Sequence, residues 1–236
     1  MIEYLTSPVA QDPAYHAFAD VRALLGIPNF WDVMSNIPFI VVGAAGLLEV
    51  RHHKEDPLRL AWTVFFAGIF LTAFGSGWYH LAPDNESLYW DRLTMVVGFM
   101  GFVSIVIGEY LSMNWARRLL FPLLFIGVAS VVYWIHTERL GAGDLRPYAL
   151  VQFLPMLIVP LIVLANRGKS DLGRYIAWMI GLYVLAKVFE QFDDEIYAAG
   201  NLLSGHSLKH VAAALAAAAL LAGLYRSRIR HRPALP

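Results

Sequence analysis

Seven apolar runs follow one another with short polar breaks, at about 33–50, 59–80, 92–112, 118–135, 147–165, 172–190 and 206–226. Each is close to the roughly 20 residues that a helix needs to cross about 30 Å of hydrocarbon. Few folds can absorb seven such segments in 236 residues. The chain is 58% hydrophobic and 15% charged, against about 25% charged in a typical soluble domain, and its mean hydropathy is +0.54. The expected class is an all-α polytopic membrane protein with seven transmembrane helices. Its parts are a short N-terminal extracytoplasmic segment, 1–32, a helical domain, 33–226, and a basic cytoplasmic tail, 227–236. Pro8, Pro13 and Pro28 argue against a long helix in the first segment. That segment also lacks a basic stretch followed by an apolar core and a small-residue cleavage site, so no signal peptide is expected.

Lysine and arginine bookkeeping sets the orientation. One set of helix ends carries Arg51, Lys54, Arg59, Arg117, Arg118, Arg167, Lys169, Arg174, Arg226, Arg228, Arg230 and Arg232. The other holds Arg22, Arg92, Arg139, Arg146, Lys187 and Lys209 among acidic neighbours. The N-terminus is therefore expected outside and the C-terminus in the cytoplasm. Net charge is zero, which gives no reason to expect nucleic acid as a partner. There is no cysteine, so disulfides and thiolate zinc ligands are excluded, and metal chemistry would fall to histidine and carboxylate.

That topology brings distant residues together. The second segment ends outward at His80, the third starts there at Asp91, and the seventh starts there with Gly205-His206-Ser207-Leu208-Lys209-His210. His206 and His210 are one helical turn apart, about 6 Å along the axis, and can reach one ion. His80, His206 and His210 are the expected ligands of zinc, with one position open for water. Asp91 is placed to move protons, its ordinary alternative being a helix-start carboxylate. Ser76, one turn before His80, is suited to hydrogen bonding toward a developing oxyanion. An acidic group among Glu190, Asp193, Asp194 and Glu195 could orient a ligand imidazole, and Lys187 is expected to pair with Glu190. His16, His52, His53, His136 and His231 have no comparable spacing and read as solvated.

Asp32-Val33-Met34-Ser35-Asn36, Ser76-x3-His80, Asp91 and His206-Ser207-Leu208-Lys209-His210, in this order over residues 15 to 225, resemble the alkaline ceramidase family, within the CREST group of seven-helix membrane hydrolases. The resemblance implies zinc held by His80, His206 and His210, with Ser76 and Asp91 completing the catalytic group. The implied reaction is hydrolysis of a ceramide-like lipid amide to a sphingoid base and a fatty acid. Eukaryotic members add calcium; here Asn29 stands where the family has glutamate, and only Asp20 and Asp32 remain as charged candidates, which argues against that site. The short loops look bacterial, placing the expected site near the periplasmic side of an inner membrane. Rival readings are a zinc-dependent lipid ester or phospholipid acylhydrolase, a seven-helix receptor and a transporter. A transporter should gather its polar groups at the bilayer midplane, whereas these gather at one end.

Overall fold

The computed structural model describes residues 7–230, and among them every regular element is helical. After a 3-10 turn, Pro13–His16, come α1 Phe30–Met34, α2 Ile37–Val50, α3 Arg59–Leu81, α4 Asn85–Val106, α5 Met113–Arg139, α6 Arg146–Ala165, α7 Gly173–Gln191, α8 Asp193–Gly200 and α9 Gly205–Arg230. Among the described residues, six helices are long and apolar enough to cross a membrane: α1 and α2 taken as one unit, α3, α4 with its π-helical extension Ile107–Leu111, α5, α6 and α9. These make the protein an integral membrane protein. The sixth expected segment, 172–190, is indeed the helix α7, but Arg174, Lys187 and Glu190 fall inside its 19 residues and it does not join that set. The stretch expected as a tail from 227 stays helical to Arg230, and 231–236, including His231, lie outside the described residues.

The third span starts earlier than its apolarity suggests. Asp84 accepts the backbone N–H of Ser87 at 2.7 Å, while the Ser87 hydroxyl accepts the Asp84 N–H at 3.1 Å. This reciprocal cap satisfies donors that a helix start otherwise leaves unpaired. It begins α4 at Asn85 and places Asp91 in the second turn rather than at the helix start. Without a water-driven hydrophobic effect between spans, close backbone approach has to hold the helices together. The α3–α4 seam shows how: a Cβ on Gly68 would strike the Gly98 backbone, and one on Gly101 would come within 2.7 Å of the Phe65 nitrogen. The largest apolar cluster joins α3, α4, α5, α7 and α9 through Trp62, Phe66, Phe102, Ile105, Leu120, Ile176 and Leu220.

The N-terminal segment does not stand apart from the bundle. The Val9 carbonyl accepts the Leu145 N–H at 2.8 Å, and the Gln11 N–H donates to Glu138 at 2.6 Å. His16, expected to be solvated, bonds instead through its ring to the Tyr79 hydroxyl at 2.9 Å and to Asn85 Oδ1 at 3.0 Å. His53 likewise reaches Glu49 at 3.3 Å. Asp20, 1% exposed, accepts Arg22 Nε at 2.8 Å and Nη2 at 2.6 Å. The same guanidinium donates to the carbonyls of Asn201 and Leu202, tying this segment to the loop before α9.

Arg22 beside Asp20 holds the Asp20 carboxyl below its usual range. A depressed carboxylate stabilises the fold above its unfolded pKa of about 3.9, and that stabilisation is lost as pH falls through the lower folded value. Asp20→Asn should therefore lower Tm at pH 7, with the gap from wild type closing below about pH 4. Thermal unfolding in detergent across pH reads this directly.

Candidate metal centre

The site begins with the placing of the α9 N-terminus. The Ser204 hydroxyl accepts the Ser207 N–H at 3.0 Å, the bond made by a serine N-cap. Gly205 follows because its Cβ position lies against the Phe189 carbonyl oxygen and 2.9 Å from the Asp193 Cα, leaving no room for a side chain. Asp193 then accepts the His206 N–H at 2.6 Å and, through its other oxygen, the Ala19 N–H at 3.1 Å. Asp32 on α1 accepts the hydroxyls of Ser207 at 2.6 Å and Ser204 at 3.2 Å. A free helix end in an apolar setting would leave its N–H groups unsatisfied. Here those bonds fix both its position and its rotation.

With α9 so held, His206 and His210 face His80 from the last turn of α3. The three ring centroids are 4.8, 4.9 and 5.0 Å apart, a nearly equilateral triangle, and one nitrogen from each ring lies within 4.8 Å of the others. The rings are 1%, 5% and 5% exposed for His80, His206 and His210. Phe18 covers two of them, its ring 4.7 Å from His80 and 4.5 Å from His206. Asn29, at a left-handed φ of 46°, donates its amide to the His80 carbonyl at 2.9 Å and secures the end of α3.

The tautomer of His210 follows from its neighbour. Ser35 gives its hydroxyl proton to the Asp32 carbonyl at 3.1 Å, so its oxygen accepts from His210 Nδ1 at 2.8 Å. With the proton on Nδ1, His210 Nε2 carries a free lone pair. It faces His80 Nε2 at 3.3 Å. Two nitrogens about 2.0–2.1 Å from a tetrahedral zinc stand roughly 3.3–3.4 Å apart, so the spacing matches one edge of that tetrahedron. His206 Nε2 is buried with no hydrogen-bond partner among the described residues, and an unpartnered polar atom in a buried site is costly unless something else engages it. The residues fit zinc.

They do not fit calcium. Calcium takes six to eight oxygens. The Asp20 carboxylate is taken by Arg22, and Asp32 Oδ1 by two serines, leaving Asp32 Oδ2 without a partner. Arg22 supplies the positive charge and bridges Asp20 to two backbone carbonyls, the connection a bound cation would otherwise make.

Ser76, Asp91 and His210 line one cavity of about 270 Å³, together with Gln152, Tyr183 and Lys209. Ser76 is 3% and Asp91 9% exposed. Gln152 and Tyr183 join α6 to α7 by a 3.1 Å bond. Lys187 meets Glu190 as expected, at 2.5 Å, and Lys209 shares the same carboxylate at 2.7 Å. Asp193 of the acidic loop bonds the His206 backbone rather than a histidine ring, and Ser35 is the residue bonded to the His210 ring. Sequence reading missed Ser35, Phe18 and Arg92 as parts of the site. Only Ser35 left a signal, as part of the Asp32–Asn36 motif.

Among curated proteins, no sequence matches this chain. One family model, Ceramidase, matches residues 26–233, which takes in α1 through α9 and all three histidines. With most of its length matched and its three histidines gathered at one end of a helical membrane bundle, the chain belongs to the ceramidase family, hydrolases of a lipid amide.

Proposed function

We propose that this protein is a zinc-dependent hydrolase of a ceramide-like lipid, releasing a fatty acid from a sphingoid base. The observation that carries this reading is the buried triangle of imidazoles, with two facing nitrogens 3.3 Å apart and His206 Nε2 unpartnered. His80, His206 and His210 are the proposed ligands, and Ser35 keeps the His210 proton on Nδ1. Zinc bound there would polarise the amide carbonyl and lower the pKa of a bound water from 15.7 to about 7. The Asp91 carboxylate takes up a proton from the attacking water and delivers it to the departing amine nitrogen. Ser76 donates its hydroxyl hydrogen to the carbonyl oxygen as charge develops. Phe18 roofs the ligands and excludes bulk water, which strengthens each of these interactions. Acyl chains lie along the apolar part of the cavity, past Phe39 and Met95.

The charge pattern supports seven crossings, with α7 as the seventh, the N-terminal segment 1–32 outside and the residues after 226 in the cytoplasm. The reading puts the protein in a bacterial inner membrane with the site on its periplasmic side. Arg174, Lys187 and Glu190 sit near the ends of α7, where long side chains reach the interface or one another.

Metal content and fatty-acid release, measured together, test the proposal. Wild type should hold one zinc per chain and release fatty acid from ceramide. His206→Ala/His210→Ala should lose both, and zinc-free wild type with full activity would overturn the reading. Asp91→Asn should keep its zinc while kcat falls by about 10²–10⁴-fold, seen by pairing metal analysis with turnover. Ser35→Ala should bind zinc about 10–100-fold more weakly, measured by competition with a chelator of known affinity.

A further inference from the structure

The wall of the proposed substrate cavity carries more positive than negative charge. Its charged side chains are Asp91, Arg92, Lys187, Glu190 and Lys209, three cations to two carboxylates. Lys187 and Lys209 both pair with Glu190, so one carboxylate serves two ammonium groups. Asp91 is assigned to proton transfer. Arg92 makes no ion pair or hydrogen bond with a carboxylate among the described residues. Its Nη2 donates to the neutral side-chain oxygen of Gln11 at 2.6 Å, and its Nη1 is buried with no hydrogen-bond partner among the described residues. Glu138 nearby is engaged by the Gln11 N–H and the Trp134 indole.

Arg92 is nonetheless only 5% exposed. Aromatic faces surround its guanidinium, with Trp134 at 4.1 Å, Tyr148 at 4.7 Å and Tyr15 at 5.7 Å from ring centroid to Cζ. Such faces tolerate a cation through the ring quadrupole, and an amide oxygen adds a partial negative charge. Neither cancels a full charge. A buried guanidinium held in no ion pair is expensive in a membrane protein, and such a residue points to a substrate or ion site. A metal ion at the histidines would add positive charge to the same cavity.

We propose that the lipid acted on here carries an anionic group, a phosphate, sulfonate or carboxylate, beside its amide, and that Arg92 seats that group. The inference rests on the lipid-amide reading and narrows it: an uncharged ceramide leaves Arg92 unmatched, whereas an acidic N-acyl lipid supplies the missing charge. The flat guanidinium suits such an oxyanion, since its donors are arranged as a fork. The stacking rings keep that plane fixed before the lipid arrives. Arg92 acts on binding and selectivity, one residue along α4 from the proposed proton carrier.

The test compares two lipids with the same chains, an N-acyl sphingoid base and its 1-phosphate, in uncharged detergent micelles. Binding is followed by the rise in Tm with lipid concentration, and fatty-acid release is measured on the same samples. Wild type should reach its half-maximal Tm shift at about tenfold lower concentration of the phosphate lipid, the scale of one charge-assisted hydrogen bond. Arg92→Gln should lose that preference, and Arg92→Lys, which keeps the charge, should retain part of it. Equal midpoints in wild type, no binding of either lipid, or a preference that survives in Arg92→Gln would overturn the proposal. If Arg92→Gln does not fold, the wild-type comparison and Arg92→Lys still decide. Binding is read without turnover, so a wild type that prefers the phosphate lipid yet releases no fatty acid counts against the hydrolase reading and not against this one.

Discussion

Three imidazoles can share a pocket that water scarcely reaches only if they stay uncharged and their lone pairs have something to meet. Much of the histidine-bearing end of this protein follows from that requirement. The rings of His206 and His210 point inward because α9 starts where Ser204, Gly205, Asp193 and Asp32 make it start. Rotating α9 by one residue, about 100°, would carry both rings away from His80. The hydrogen bonds at this helix end therefore do more than cap it: they convert a one-turn sequence spacing into a convergent set of donors.

The N-terminal segment supplies the other half of the enclosure. Spans alone would leave the histidines open at the end of the bundle. Phe18 lies over two of the rings, and the segment carrying it is pinned at Val9, Gln11, His16, Ala19 and Arg22. Arg22 replaces with covalently attached charge what a calcium site would do with a bound ion, since it joins a buried carboxylate to the loop before α9. The position of the roof thus depends on the ion pair of Arg22 with Asp20 and on the ionisation of Asp20.

How much of this could be read from the sequence depended on periodicity. Apolar runs gave the helices, and the alternation of span ends brought His80 to the level of His206 and His210, as their contacts bear out. The start of α4 was misjudged because Asn85–Trp90 is not an apolar run, although Asp84 and Ser87 spell a capping pair. The identification of α7 as a helix held, while its charges keep it apart from the six clearly apolar spans. Phe18 and Arg92 were invisible for a deeper reason. Neither belongs to a repeating pattern, and each gains its meaning only from residues distant in sequence: His80 and His206 for the first, Trp134 and Tyr148 for the second.

The division of labour along the bundle explains how such a polar end can be maintained. The largest apolar cluster runs through Trp62, Phe65, Phe66, Phe102, Ile105, Leu120, Leu220 and Leu224, residues far along their helices from His80, Asp91 and His206. There the helices meet through interlocked side chains and close glycine contacts, which are insensitive to proton or metal binding. At the opposite end the elements are joined by hydrogen bonds of named polarity, from Ser207 to Asp32, Gln11 to Glu138, Lys209 to Glu190 and Arg92 to Gln11. A bundle held at one end by dispersion and shape can leave polar groups at the other end unpaired, as Arg92 Nη1 and His206 Nε2 are. The cost of those unpaired groups is carried by the fold until a ligand of the right charge relieves it, and that relief is available binding energy.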